Sequence, residues 1–245
     1  MAEPKLIDYT NFDYKKKFWE DADRKYEDFC DRLALRRLLP KTGEKFVDVC
    51  GGFGRLADEY LHRYKEVSLF DYAQNLLEQA RAAHGDKLKT VQGSVYALPF
   101  AKDEFDALIC IRASHHLADL AKAVAELARV LKPGGQAIIE IANKRNILEI
   151  LRWLGGRSKM RPFSLSPADR NGKGFYNFHP RYVREIFRQN NFKIKKVLGV
   201  SNFRIGFLKK LGAPLLCFAE RLTQGISGRL KLSPSLYYLL EKTAR

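Results

Sequence analysis

Between Phe46 and Ala142 the chain alternates short apolar runs of β-forming residues with stretches of helical spacing, a pattern that leaves few folds open. Phe46–Cys50, Glu66–Asp71, Leu88–Gln92, Phe105–Ile111 and Gln136–Ala142 read as strands. Arg55–Tyr64, Ala73–Ala83 and Leu120–Leu131 read as helices, the second with Leu76, Leu77 and Ala80 on one face. Lys132-Pro133-Gly134-Gly135 closes the third, because proline cannot continue a helix and the glycines permit a turn. Uninterrupted apolar runs such as ALICI (Ala107–Ile111) belong to strands covered on both faces, so the sheet is expected to be parallel.

Outside this stretch, Lys17–Leu39 reads as one long helix of mixed charge ended by Pro40. Pro180–Gln189 reads as a helix, Asn190-Asn191 as a turn and Phe192–Val200 as a strand. Pro234–Glu241 supplies a last strand, most simply antiparallel beside Phe192–Val200. Three parts follow: an N-terminal helical lid (1–42), a core (43–142), and a C-terminal part of the same domain (143–245) holding two insertions, Asn143–His179 and Ser201–Leu232.

Charge divides along the same line. The chain carries a net +16, but residues 1–142 hold 22 Lys and Arg against 23 Asp and Glu, whereas residues 143–245 hold 22 against 5. Such an excess suits an anionic partner. The four cysteines, Cys30, Cys50, Cys110 and Cys217, show neither metal-ligand nor disulfide-framework spacing, so no metal is expected and a reducing cytoplasm fits. The N-terminus lacks the apolar segment of a secretory signal, and no run reaches the roughly 18 apolar residues of a membrane span.

The chemistry is concentrated at the ends of the first strands. Val47–Ala57, VDVCGGFGRLA, is a glycine-rich turn between strand and helix, where backbone can approach a ligand closely. Gly52-x-Gly54-x-x-Ala57 also fits a dinucleotide fingerprint. Two acids point elsewhere. Asp48 precedes the glycines, where a carboxylate can neutralise an ammonium group, and Asp71 ends the second strand, where it can accept both hydroxyls of a ribose. An acidic pocket with a ribose hook suits a nucleoside amino acid.

With Leu98-Pro99-Phe100, Phe105-Asp106 and Arg129-Val130-Leu131-Lys132-Pro133-Gly134-Gly135 in order, the chain resembles the class I S-adenosylmethionine-dependent methyltransferases of the small-molecule type, strongly over Phe46–Ala142. The resemblance implies a Rossmann-like, doubly wound α/β fold, with a mostly parallel seven-stranded sheet, an antiparallel last strand, an N-terminal helix and helical insertions. It implies S-adenosyl-L-methionine as cofactor, held by Asp48, Cys50, Gly51, Gly52, Gly54, Asp71, Tyr72, Ser94, Val95 and Arg112. Cys50 stands where the family has the first glycine of its triplet, a change expected to alter the turn slightly, and Ser94 replaces the usual acid after Gly93.

Methyl transfer needs position and orientation, with a base only where the acceptor loses a proton. Arg112, Ser114, His115 and His116 follow the fourth strand, and the two histidines are the catalytic candidates; the alternative is that each only bonds backbone. Of the N-terminal aromatics, Trp19 and Tyr26 are expected to staple the first helix to the sheet, while Tyr9, Phe12 and Tyr14 are candidates for a lid over the sulfonium. The expected activity is methylation of a small, lipophilic or anionic acceptor in the cytoplasm, with or without peripheral attachment to a membrane. The alternatives are an RNA-directed methyltransferase and a non-catalytic nucleoside-binding protein.

The basic surplus admits three readings. Phe207 or Leu208, Leu211, Leu215, Phe218 and Leu222 recur at helical spacing beside Lys209, Lys210 and Arg221, as on a helix lying against anionic lipid. Arg145, Arg152, Arg157, Lys159, Arg161, Arg170 and Lys173 are a spread of cations suited to RNA phosphates. The third reading, carried forward here, is a solvated surface for most charges and a pocket cap for Phe203–Leu222.

Overall fold

The computed structural model describes residues 14–21, 24–170, 172, 174–204 and 212–244. Tyr9, Phe12, Lys173, Phe207, Leu208, Lys209, Lys210 and Leu211 lie outside the described residues.

In chain order the elements are α1 (Lys25–Leu38), β1 (Gly43–Val49), β2 (Tyr64–Asp71), α2 (Gln74–His84), β3 (Lys89–Gln92), β4 (Phe105–Cys110), α3 (Leu120–Val130) and β5 (Leu131–Ala142). There follow α4 (Ile147–Leu154), the two-residue strands β6 (Ala168–Asp169) and β7 (Tyr176–Asn177), α5 (Pro180–Gln189), β8 (Phe192–Val200), α6 (Ala213–Leu230) and β9 (Ser235–Lys242). Seven strands form one sheet in the order β3-β2-β1-β4-β5-β9-β8. Strands β1 to β5 pair in parallel, and β9 runs antiparallel between β5 and β8. This is the expected Rossmann-like sheet with its antiparallel last strand.

Alternation along each strand builds two cores. Val47, Val49, Leu108 and Cys110 face one cluster with α3 and α5, while Phe46, Ala107 and Ile109 face the other with α1 and α2. Helix α3 earns its place through Leu120, Ala123, Val124 and Leu127, buried at helical spacing, and the Lys122 N–H caps its start by donating to Asp119 at 2.9 Å. Pro180 opens α5 at the position where a missing N–H costs nothing.

Four readings of the sequence need correcting. The expected helix Arg55–Tyr64 is a series of tight turns with only Ala57–Glu59 helical. Its middle is tied elsewhere: the Tyr60 hydroxyl donates to Asp48 at 2.8 Å, and Glu59 accepts from Arg36 of α1 at 2.7 and 2.8 Å. The expected long helix Lys17–Leu39 is broken. A wide turn, Lys15–Glu20, precedes α1, and the Asp21 N–H closes it by donating five residues back to the Lys16 carbonyl. The Lys132-Pro133-Gly134-Gly135 segment continues into β5 with a shift of register rather than forming a separate turn. The helix within the last insertion is displaced to Ala213–Leu230, and none of its residues borders the cleft described below, so these residues form no pocket cap.

Helix α6 lies against α1 and β8 with an unusual face. It buries Leu216, Glu220, Gln224 and Gly228. Glu220 accepts from the Tyr26 hydroxyl and from the backbone N–H groups of Ser201 and Asn202, at 2.9 to 3.1 Å. A Cβ on Gly228 would stand 2.3 Å from the Val197 carbonyl oxygen, so the helix backbone rests directly on β8.

Candidate active site

The strand order reverses between β1 and β4, and α/β sheets bind ligands in the crevice beyond the carboxyl ends of strands at such a point. A cleft opens there. Of the residues singled out in the sequence, Asp48, Cys50, Gly51, Gly52, Asp71, Tyr72, Val95, Arg112 and His116 line it; Gly54, Ser94 and His115 do not.

The floor is the turn after β1. Cys50, Gly52 and Gly54 all have left-handed backbone, with φ of 61°, 57° and 74°. Cys50 therefore keeps the geometry a glycine would take, at a cost of about 1–2 kcal/mol for a residue bearing a Cβ. Gly51 is demanded by space, because a Cβ there would stand 2.7 Å from the Asp48 carboxyl carbon. Asp48, almost fully buried, is pushed up to about 7, chiefly by burial, with Tyr60 opposing the rise by hydrogen bonding and Asp71 adding to it.

Asp71 accepts from the Gly52 N–H at 2.8 Å and the Ala73 N–H at 2.9 Å, which orients its carboxylate across the glycine turn. Burial raises its carboxyl above the ordinary range, and the backbone donors partly restore it. Tyr72, beside it, is exposed. The Ser94 hydroxyl accepts from the Tyr96 N–H at 3.3 Å, within its own loop.

Beyond β4 the chain turns through Arg112, itself left-handed at φ 59°. Its guanidinium donates to Asp31 at 2.8 and 3.1 Å and to the Ser201 hydroxyl at 3.1 Å. Asp31 is fully buried and also accepts from Arg55 and from the Tyr237 hydroxyl, at 2.8 and 2.7 Å. Burial alone would raise the Asp31 carboxyl; Arg112 and Arg55 outweigh it and hold it low. The sequence carries no local signal for this cluster, since its members lie in five separate parts of the chain.

His115 and His116 stack at 3.9 Å between ring centroids and lean on Phe175, 6.2 and 5.2 Å away. Burial lowers His116 to about 4; burial and then His116 itself hold His115 well below its ordinary value. Both imidazoles are neutral at pH 7. Tyr14 and Trp19 border the cleft, and the Arg55 guanidinium stacks on Trp19 at 3.7 Å. Trp19 thus faces the site instead of stapling a helix, whereas Tyr26 is buried between α1 and α6 as a staple should be. Among the described residues no cluster of His, Cys, Asp and Glu is arranged to hold a metal.

Residues 47–139 match the methyltransferase domain family. S-adenosyl-L-methionine is the cofactor which that family implies, and the cleft sets a buried acid, Asp48, and a second carboxylate, Asp71, beside the glycine turn. The chain is 32% identical over 166 residues to the ubiquinone/menaquinone biosynthesis C-methyltransferase of Paracoccus denitrificans, covering 63% of this chain and 65% of that one. To the demethylmenaquinone methyltransferase of Renibacterium salmoninarum it is 30% identical over 108 residues, covering 44% and 45%. The match therefore spans less than two thirds of either relative. A solved methyltransferase of Haloferax volcanii, in complex with the Trm112 activator, has the same fold with a TM-score of 0.66 at 16% identity, covering 94% of this chain and 96% of that one. So does a methyltransferase of Mesorhizobium loti, with a TM-score of 0.60 at 21% identity, covering 85% and 95%.

Proposed function

We propose that the protein transfers a methyl group from S-adenosylmethionine to a small lipophilic acceptor. The observation that carries this reading is the pairing of Asp48 and Asp71 across the Gly51-Gly52 turn at the switch point of the sheet. In this reading Asp71 accepts both ribose hydroxyls, Asp48 faces the ammonium group, and Tyr72 and Val95 flank the adenine. The bound cofactor supplies a methyl carbon on a positively charged sulfur.

The remaining residues hold the acceptor in line with that carbon and keep water away, which is where most of the rate advantage of such a transfer arises. Tyr14, Trp19, Ile111 and Leu117 give the acceptor side of the cleft an aromatic and aliphatic wall. The quinone-pathway names of the two relatives agree with an acceptor of that polarity. His116, neutral at working pH, is placed to orient an acceptor hydroxyl; its lowered basicity makes it a poor proton acceptor for an unactivated group. Arg112, with its guanidinium held by Asp31, fixes the loop that carries His116.

Titration calorimetry with S-adenosylmethionine and its demethylated product tests the site. Micromolar binding is expected, lost in Asp71→Ala; unchanged affinity in that variant would sink the ribose assignment. Turnover with labelled cofactor and hydroquinone-type acceptors tests the reaction, and cofactor binding without transfer to any acceptor would leave a nucleoside-binding protein instead.

A further inference from the structure

Helix α6 is inside out. The face it turns to β8 and α1 carries Glu220 and Gln224, whereas Leu215, Phe218, Leu222, Ile226 and Leu230 are each more than half exposed. Spaced by three, four, four and four residues, these five form a single stripe along all 18 residues of the helix. Helix α4 repeats the arrangement, burying Glu149 and exposing Ile147, Leu151 and Leu154.

The two helices adjoin. The Ile147 N–H, at the start of α4, donates to the Leu232 carbonyl just past the end of α6 at 2.9 Å, and Asn143 bonds the carbonyls of Lys231 and Ser233. Among the described residues, eleven of the twelve exposed large apolar side chains lie in 147–165 and in α6; the twelfth is Tyr72, in the cleft. Exposed apolar side chains gathered in this number on neighbouring elements mark an interaction site.

Charge says with what. Glu149 and Glu220, the acids of α4 and α6, are both buried beneath the exposed faces. What the helices and the segment after α4 show to solvent beside the apolar residues is Arg152, Arg157, Lys159, Arg161, Arg221 and Arg229. An apolar stripe bordered by cations and free of exposed acids is the pattern of a helix lying in the headgroup region of an anionic bilayer. No described helix is long and apolar enough to cross one.

We propose that the exposed faces of α4 and α6 dock the protein on an anionic phospholipid surface, with the apolar stripe entering the headgroup boundary and the arginines pairing with lipid phosphates. The solvated-surface reading of the charge does not account for eleven apolar side chains gathered beside it. The proposal rests on the surface alone and holds whether or not the protein methylates a lipophilic acceptor.

Cosedimentation of the full chain with vesicles tests it, without cofactor or acceptor. Binding is expected to equal-part phosphatidylcholine and phosphatidylglycerol vesicles, and not to phosphatidylcholine alone. It should weaken tenfold or more in Leu222→Asp/Ile226→Asp, and by about fivefold in Arg221→Ala, the loss expected for one surface cation. Circular dichroism and cofactor titration check that the variants are folded, and Asp71→Ala should bind vesicles normally while losing cofactor. Three outcomes overturn the proposal: no sedimentation with anionic vesicles, equal sedimentation of the aspartate variant, or a solution dimer that Leu222→Asp dissociates. Retention on RNA that Arg221→Ala weakens and Leu222→Asp/Ile226→Asp leaves intact, without vesicle binding, would assign the cations to nucleic acid instead.

Discussion

Asp48 sets the proton balance of the cleft. Its carboxyl is pushed up to about 7 by burial, so at neutral pH the ligand-free protein holds a proton there about half the time. The unfolded chain loses that proton nearer pH 4. The folded state therefore binds more protons between about 4 and 7, and this group's contribution to stability falls as the pH rises through that window. An ammonium group beside Asp48 favours the ionised form. Cofactor affinity is accordingly expected to rise as the pH goes from 6 to 8, with proton release on binding, measurable by calorimetry in buffers of different ionisation enthalpy. In Asp48→Asn the pH dependence should flatten and affinity should drop at every pH.

The same residue shows how much of the site a sequence discloses. Asp48 and Asp71 were legible because strand ends and glycine turns have local signatures, and the structure brings both to one cleft. The placement of His116 toward the cleft and His115 away from it was not legible, because one helical turn of three residues decides it. Nor was the commitment of Arg112 to Asp31, a residue 81 positions away.

At the scale of elements, the sheet was readable because its strands carry period-two or fully apolar patterns, and each falls within a residue or a few of its expected bounds. The helices were less so. Arg55–Tyr64 has helical composition, yet Tyr60 and Glu59 are held by partners in other elements, and tertiary bonds override propensity there. For α6 the apolar periodicity of Leu215, Phe218 and Leu222 was legible, but the pocket-cap reading of that stripe fails because the inward face is largely polar and satisfied. Seating of that helix depends on Gly228, whose missing side chain lets it rest on Val197 and Leu198. Gly228→Val is expected to cost roughly 1–3 kcal/mol, the usual range for overpacking, with a fall in Tm of ~2–4 °C for each kcal/mol in a chain of this size. Differential scanning fluorimetry reads the shift; an unchanged Tm would mean the helix is not held by that contact.

Across the whole molecule, the even charge of residues 1–142, which hold the candidate site, contrasts with the basic character of residues 143–245, which hold the proposed docking surface. What ties the parts together is Asp31. It gathers donors from the turn after β1, the loop after β4 and strand β9, so α1 is fixed to three regions of the chain at one carboxylate. Removing it takes a buried carboxylate from two guanidinium groups, leaving Arg55 with Asp28 and Arg112 with the Ser201 hydroxyl. Asp31→Ala is expected to destabilise by roughly 3–5 kcal/mol, seen as a lowered midpoint in urea, and to weaken cofactor binding by loosening the Arg112 loop. Loss of binding with unchanged stability would show that Asp31 touches ligand directly.

The bond from Tyr237 to Asp31 joins residues 206 positions apart, and it converges with Arg112 on the same carboxylate. The loop that walls the cleft is thus tied through Asp31 to strand β9, which lies between β5 and β8. Tyr237→Phe, a change outside the cleft, therefore reaches the cleft wall through a single carboxylate.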